Sequence, residues 1–542
     1  MSTKDNNTYI NRPFNIRPIC FWAFFVALTV AVCIGFKGRP VGIAVYFVVL
    51  IGLFTALQFL KCRDKVLTFF GTSRINFVIT IALCLVVALS FALTSLSYTH
   101  QKSFAGYNDL SGVVERHNLN EDGSGWFIIS NAKFGTTKVN GQVRVFINNP
   151  NESTRANVIS TYRVKMNTQL GRANNNDWNI NNSIKYTANI GLRDEVTAVG
   201  TAKDGRSVIL RHSQSFLRKH MRNRNADLMY AMMFGDRSDL DDELSESFSL
   251  TGIAHVLAVS GLHVGILVGM LVLLLNVCRV SRKKQLPIIA SVLLAYCYLC
   301  GFRYSILRAS IMFMVFVARR AFLRSNDMLS SVSLAAIIIL VLFPFSLVSA
   351  SFQFSFACML GIALFNLPFT KFFKKALSLR RHCEGRSNPG PQNSHKSPKQ
   401  SKLSDWLSQA LSMYCATFLG CLPLMIKYFG FVSLLGVFTN VLFLPLLVIA
   451  FQVSLLAVLT WIAFPLLYVV NVALNGIIAT THWLASLPFA TISVAGGGGG
   501  YWFLLYFVGL IFTTRFIFLR KRWKYSVAGV LIAIYAVAVI VV

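Results

Sequence analysis

Apolar runs recur along the chain near 19–36, 41–60, 75–97, 252–278, 286–302, 304–323, 329–347, 350–370, 407–427, 438–462, 464–487, 501–519 and 525–542. A helix needs about 20 apolar residues to cross roughly 30 Å of hydrocarbon. The pattern therefore predicts about thirteen transmembrane helices, with the stretch 428–440 open to a re-entrant reading. The first run is followed at once by another, with no small-residue cleavage site, so it reads as a retained span.

Between His100 and Gly252 the pattern changes. "GWFIISNAKF", "QVRVFINN", "STYRVKMNTQL" and "EVTAVGTAK" alternate apolar and polar residues between Gly- and Asn-rich turns, the signature of half-buried strands. A small antiparallel β-barrel closes such strands without exposed edges. Residues 207–251 switch to amphipathic helices interrupted at Gly235, basic in the first half and acidic in the second. Two readings of this segment stay open. The helices lie on the outer membrane surface, or Arg211, Arg218, Lys219, Arg222 and Arg224 form a basic collar over a pore mouth.

The expected architecture is mainly α: a polytopic helical membrane protein with a small extracytoplasmic OB-like β-barrel. It divides into spans at 1–97, the barrel at 98–206, surface helices at 207–251 and a membrane domain at 252–542. A Pro- and Ser-rich linker interrupts the membrane domain near 371–404.

Composition agrees with this division. The chain has 542 residues, 55% hydrophobic and 13% charged, with a formal net charge of +31. Lysine and arginine cluster at 61–74, 279–284, 319–324, 371–402 and 515–524, all on one side of the predicted spans. The positive-inside rule makes that side the cytoplasm and puts 98–251 outside; Lys37 and Arg39 run against the rule. None of the 11 cysteines lies between His100 and Gly252, which argues against a disulfide framework there. Cys297 and Cys300 sit within an apolar span and read as packing residues. No Walker A, HExxH or H-x-E…PCxxC pattern is present, so neither a cofactor, a metal site nor a catalytic residue is expected.

Polar residues inside spans are costly and mark a site or a pathway. They fall in four segments: "TGIAHVLAVSGLHVG" (251–265), "GFRYSILRAS" (301–310), "SASFQFSFACMLGIALF" (349–365) and "LPLMIKYFGFVSLLGVFTNVLFLPL" (422–446). In the first, Ser260-Gly261 invites a helix break. On an unbroken helix, His255 and His263 would stand about 12 Å apart, too far to share a metal ion. In the second, Arg308 cannot shed its charge and must pair, snorkel or face water. In the third, Gln353 stands beside Ser351 and Ser355, whose expected role is interhelical hydrogen bonding. In the fourth, Asn440 and Pro445 suggest another break.

Together these four segments resemble the ComEC competence proteins, inner-membrane channels for DNA uptake. The first looks like that family's signature almost throughout, and Ser305, Arg308 and Ala309 match its Ser-x-x-Arg-Ala element. "SFQFSFACMLGI" is similar to its Phe-Gln-x-Ser-Phe element, and the fourth segment carries its Pro…Phe…Ser…Gly…Asn…Pro order. The resemblance implies a channel for single-stranded DNA lined by His255, Ser260, Gly261, His263, Ser305, Arg308, Gln353 and Asn440. Trp126, Arg211, Arg218, Lys219 and Arg222 become possible outer contacts. A DNA receptor and a nuclease outside, and a motor or strand-binding proteins in the cytoplasm, are the implied partners. Many relatives carry a C-terminal domain like metallo-β-lactamases; no HxHxDH motif occurs here, so a short form is expected. Two other readings stand beside the channel: an intramembrane hydrolase using Ser260 with His255 or His263, and a transporter of another anion.

Overall fold

The computed structural model describes residues 18–35, 74–99, 104, 106–119, 124–147, 163–173, 184–190, 196–200, 205–237, 239–257, 259–302, 304–321, 328–384, 402–461, 463–493, 506 and 529–530. The spans expected near 41–60, 501–519 and 525–542 and residues 385–401 of the expected linker lie largely or wholly outside these residues, whereas 371–384 continue a helix rather than a linker. Two apolar helices open the described chain, α1 (Pro18–Gly35) and α2 (Arg74–Thr99).

The polar stretch forms β1 (Tyr107–Leu119), β2 (Gly125–Phe134), β3 (Thr137–Lys138), β4 (Gln142–Ile147), β5 (Arg163–Arg172), β6 (Ile184–Ile190) and β7 (Thr197–Gly200). The two-residue β3 pairs only with β2. The remaining sheet runs β1-β2-β4-β6-β5, with β7 on β5, and closes because β5 also pairs with β1. Only β4–β6 among these pairings is parallel. This is the five-stranded Greek-key closure of an OB-like barrel. Alternation along the strands builds its interior: Phe127, Ile129, Val143, Val145, Val164 and Met166 point into one apolar core. Gly112 allows β1 to curl onto β2, since a Cβ there would stand 2.2 Å from Ile129 Cγ2.

Three helices follow: α3 (Gly205–His220), α4 (Asn223–Phe234) and α5 (Asp242–Leu250). Gly235 ends α4 in the left-handed region at φ 76°. The acidic half of this segment folds back on the basic half. Arg218 Nη2 lies 2.8 Å from Asp227 Oδ1 and 3.1 Å from Asp239 Oδ2, while Arg224 pairs with Asp241 at 3.1 Å. Burial raises the Asp227 pKa, and the Arg218 hydrogen bond opposes that rise. Of the five cations read as a possible collar, Arg218 and Arg224 are thus neutralised locally, which sequence order alone does not reveal.

The membrane domain consists of α6 (Gly261–Val277), α7 (Arg282–Leu299), α8 (Tyr304–Ala321), α9 (Met328–Leu342), α10 (Ala350–Glu384), α11 (Lys402–Phe429), α12 (Gly436–Thr460) and α13 (Leu466–Ala485). Five described helices, within α2, α10, α11, α12 and α13, are long and apolar enough to cross a membrane; shorter apolar helices lie in α1, α6, α8 and α9. The chain is a membrane protein. The free thiols of Cys297 and Cys300 sit in the core between α7 and α8, as packing residues do.

Residues 428–440 hold a strand, β8 (Phe431–Ser433), paired with β9 (Thr491–Ser493), between α11 and α12. One expectation fails here: α12 runs unbroken through Asn440 and Pro445. Asn440 Nδ2 donates to Gly436 O of its own helix at 2.7 Å, so its polarity is satisfied without unwinding.

Candidate functional site

The first polar segment is folded as a break. After α5 comes a single 3-10 turn (Ala254–Val256), then extended Ser260 at φ −108° and ψ 172°, and then α6 starts at Gly261. The helix is interrupted between the histidines, so the straight-helix spacing of about 12 Å does not apply. His255 is exposed on the 3-10 turn and faces the Gly252 backbone, near enough to interact electrostatically with His263. His263 is buried and lies 4.8 Å from Phe451, centroid to centroid.

His263 has a local task. Its Nδ1 accepts the Ser260 backbone N–H at 3.1 Å, and the Ser260 hydroxyl stands 3.3 Å from the same nitrogen. Residue three of the helix thereby caps its first free amide, the job a Glu or Gln usually performs. The lone pair a serine would need for activation is already engaged, which weakens the hydrolase reading.

The second and fourth segments touch this break, and the third joins the second through Arg308. Ser305 Oγ donates to Val259 O at 3.1 Å, and Ala309 Cβ lies 3.8 Å from the Cβ position of Gly261, so α8 backs the start of α6. Arg308, one turn along α8, donates through Nη2 to Ser351 Oγ on α10. Gln353, also on α10, accepts from Tyr428 Oη of α11 at 3.0 Å. From α12, Thr439 Oγ1 donates to Thr251 O at 2.8 Å and Asn440 Nδ2 to Gly252 O at 3.3 Å. Ser305 and Asn440 thus contact the segment that holds His255, Ser260, Gly261 and His263, while Arg308 and Gln353 link α8, α10 and α11 beside it. Sequence reading missed Tyr428 and Thr439, which carry two of the links.

Arg308 is the anomaly within it. It is 2% exposed, and its Nε and Nη1 have no hydrogen-bond partner among the described residues. Its Cζ lies 5.8 Å from the Phe352 ring centroid. The sequence itself accounts for the missing counter-ion: from 252 to 542 the only acidic residues are Asp327, Glu384 and Asp405. Asp405 is engaged by Lys374 at 3.0 Å, Asp327 falls in the α8–α9 connection, and Glu384 is the last residue of α10. No carboxylate is paired with Arg308 among the described residues. A buried, permanent cation with open donors has the charge and the donors that an anion would require.

A second polar cluster escaped sequence reading. Asn471 and Asn475, one turn apart on α13, accept from buried Asn225 Nδ2 at 2.7 and 2.9 Å. Arg224 Nη2 donates to His482 Nε2 at 2.7 Å, leaving His482 Nδ1 to face Ser247 Oγ at 3.0 Å. These contacts clamp α4 and α5 onto α13. The signal was the Asn-x-x-x-Asn spacing in an apolar helix.

Of the outer candidates, Trp126 projects from the barrel while Phe127 fills its core. Arg211, Lys219 and Arg222 lie on or just after α3, with Lys219 and Arg222 exposed.

A family model described as "Competence protein" matches residues 232–537. The chain belongs to the competence protein family. The matched region begins in α4 and takes in all four polar segments, the paired asparagines of α13 and Arg308. The chain is similar to ComE operon protein 3 of Bacillus subtilis, 30% identical over 154 residues, which cover 28% of this chain and 20% of that protein. Recombination protein 2 of Haemophilus influenzae is 33% identical over 99 residues, 17% of this chain and 13% of that protein. The matched stretches thus span a fifth or less of these competence-family relatives. No solved structure matches the chain.

Gly252 is the hinge of the first segment. It sits at φ +80°, and a Cβ there would stand 3.0 Å from Gly436 Cα and 3.1 Å from Ser433 Cβ and Oγ. Gly252→Val combines left-handed strain of about 1–2 kcal/mol with backbone contact. It is expected to lower the thermal unfolding midpoint in detergent by several degrees; an unchanged midpoint would show that the segment relaxes freely.

Proposed function

We propose that this competence-family chain forms the passage for single-stranded DNA across the cytoplasmic membrane, with the OB-like barrel on the outer side. The observation that carries this is the uncompensated Arg308 guanidinium, which joins the second polar segment to the third one turn along α8 from the Ser305 contact to the first. A DNA strand bears one phosphate charge per roughly 3.4 Å and cannot cross hydrocarbon unaided. A lumen with sparse cations and neutral hydrogen-bonding groups offsets the desolvation cost without trapping the strand, since conduction needs weak, repeated binding. One buried arginine among Ser, Gln, Asn and His suits that requirement better than a dense basic stripe would. Nuclease and receptor outside, and a motor or strand-binding proteins inside, complete the reading.

The test is reconstitution. Lipid vesicles carrying the purified chain, with a single-strand-binding protein trapped inside as a sink, should accumulate a fluorescent single-stranded oligonucleotide. The same duplex should stay out. Equal uptake of both forms, or none above protein-free vesicles, would sink the proposal. The hydrolase alternative is separated in the same assay. Ser260→Ala leaves the backbone amide that His263 caps, so passage should persist; loss of a peptide- or ester-cleaving activity in that variant would favour the hydrolase instead.

A further inference from the structure

The Arg308 guanidinium meets a second positive group. Its partner Ser351 stands in the first turn of α10, a helix of 35 residues. Just before that helix, Ser349 Oγ accepts the Phe352 N–H at 3.2 Å and Ser349 O accepts the Gln353 N–H at 3.1 Å, so these amides are capped by neutral groups. The first turn of α10 therefore keeps the partial positive charge of the helix dipole, and a cation beside it has the unfavourable sign. The surroundings are apolar. Phe352 stacks on Phe356 with ring centroids 4.2 Å apart, and both belong to a cluster with Val26, Val332 and Leu340.

Neutral hydroxyls do not balance such a charge. Ser351 Oγ accepts from Nη2, while the buried Nε and Nη1 have no hydrogen-bond partner among the described residues. A hydroxyl that accepts from a guanidinium still has its own proton to donate. Two positive groups and a free hydroxyl proton thus face one another in an apolar setting, and a desolvated charge without a counter-charge is among the costliest features a fold can keep.

We infer that a small monovalent anion, chloride under cellular conditions, is the counter-ion of Arg308, held between the guanidinium, the Ser351 hydroxyl and the first turn of α10. Size and charge select the ion. Arg308 is 2% exposed, so a phosphodiester strand does not reach it in this arrangement. Ser351 is exposed, which puts the edge of the guanidinium one side chain from the surface, within reach of a single small ion. Stripping water from an ion costs more as its charge rises, so one negative charge on one guanidinium is favoured over a divalent phosphate. The halide then marks the resting state, and a strand phosphate takes its place during passage. That last step rests on the proposed function; the ion site does not.

The experiment uses the purified full-length chain in an uncharged detergent and compares sodium chloride with sodium gluconate at equal ionic strength. Binding of radioactive chloride, read by scintillation proximity, should be saturable in the parent. It should weaken at least about tenfold in Arg308→Met and severalfold in Ser351→Ala. In gluconate the parent should unfold about 2–4 °C below Arg308→Met, and chloride should close that gap. Lys283→Met removes an exposed cation elsewhere and should keep the parent's response to chloride. Equal parent midpoints in the two salts, or the same chloride shift in Arg308→Met, overturns the inference. So does an anionic phospholipid that replaces chloride in gluconate, since the counter-ion would then be a lipid phosphate. No nucleic acid enters the assay, so the ion site and strand passage can fail separately.

Discussion

Arg308→Met is expected to yield a protein that accumulates normally, unfolds no earlier than the parent, and passes single-stranded DNA at least about tenfold more slowly. The two halves of this expectation come from one observation. Arg308 is buried, donates to Ser351, and has two further nitrogens without partners among the described residues. Desolvating a charge costs several kcal/mol, and here no carboxylate offsets it, so an apolar side chain of similar length should be neutral or stabilising for the fold. A structural ion pair would give the opposite result, a loss of about 3–5 kcal/mol when one partner is removed. Function should move the other way. A charge-assisted hydrogen bond to phosphate contributes about 1.5–3 kcal/mol, and tenfold corresponds to about 1.4 kcal/mol. Arg308→Lys keeps a charge but loses the planar set of donors, so its passage should fall between the two. Membrane levels, thermal midpoints and vesicle uptake measured on the same preparations decide the matter. Parent-rate passage by Arg308→Met would remove this residue from the path.

How much of this was written in the sequence differs by element. The barrel was legible because its alternation is local. The break at Ser260-Gly261 was legible because a serine followed by glycine within an apolar run favours a fresh helix start. The supposed break at Asn440 and Pro445 misled because a polar side chain in a helix has two ways to be satisfied. Asn440 uses both, its own helix at Gly436 O and the neighbouring chain at Gly252 O. The spacing of about 12 Å between His255 and His263 holds only for an unbroken helix, and the break that Ser260-Gly261 announced removes that condition. The links from Arg308 to Ser351, from Ser305 to Val259 and from Tyr428 to Gln353 join residues 43, 46 and 75 positions apart. No periodicity encodes such pairings. What the sequence did carry was their cost: each is a polar group in hydrocarbon that must find a partner. Similarly, the basic run of α3 looked like a collar until Asp227 and Asp239 closed over Arg218.

Gly420→Val is expected to damage the fold severely, and to reach the candidate site without touching it. Helices α10 and α11 cross at Gly361 and Gly420. A Cβ on Gly420 would stand 2.5 Å from Ala357 O, and one on Gly361 would stand 2.4 Å from Ala416 O. Both obstacles are backbone, which no rotamer change relieves. Each helix presents a small pair four apart, Ala357 with Gly361 and Ala416 with Gly420, the arrangement that lets membrane helices approach closely. Farther along the same interface Ser412 Oγ donates to Asn366 O at 2.7 Å, a contact that depends on this approach. A valine would force the helices roughly 1 Å apart, since ordinary carbon contacts begin near about 3.5 Å. Overpacking costs about 1–3 kcal/mol even where side chains can yield, and here they cannot. Because α10 carries Ser351 and Gln353, and α11 carries Tyr428, the same displacement should loosen the links to Arg308 and across to Tyr428. Passage and thermal midpoint should therefore fall together, unlike the divergence expected at Arg308. Gly476→Ala is the matched control: a Cβ there meets nothing within 4 Å, and alanine favours a helix by about 1 kcal/mol. Equal midpoints for Gly420→Val and Gly476→Ala would mean that α10 and α11 do not cross this closely in the folded protein.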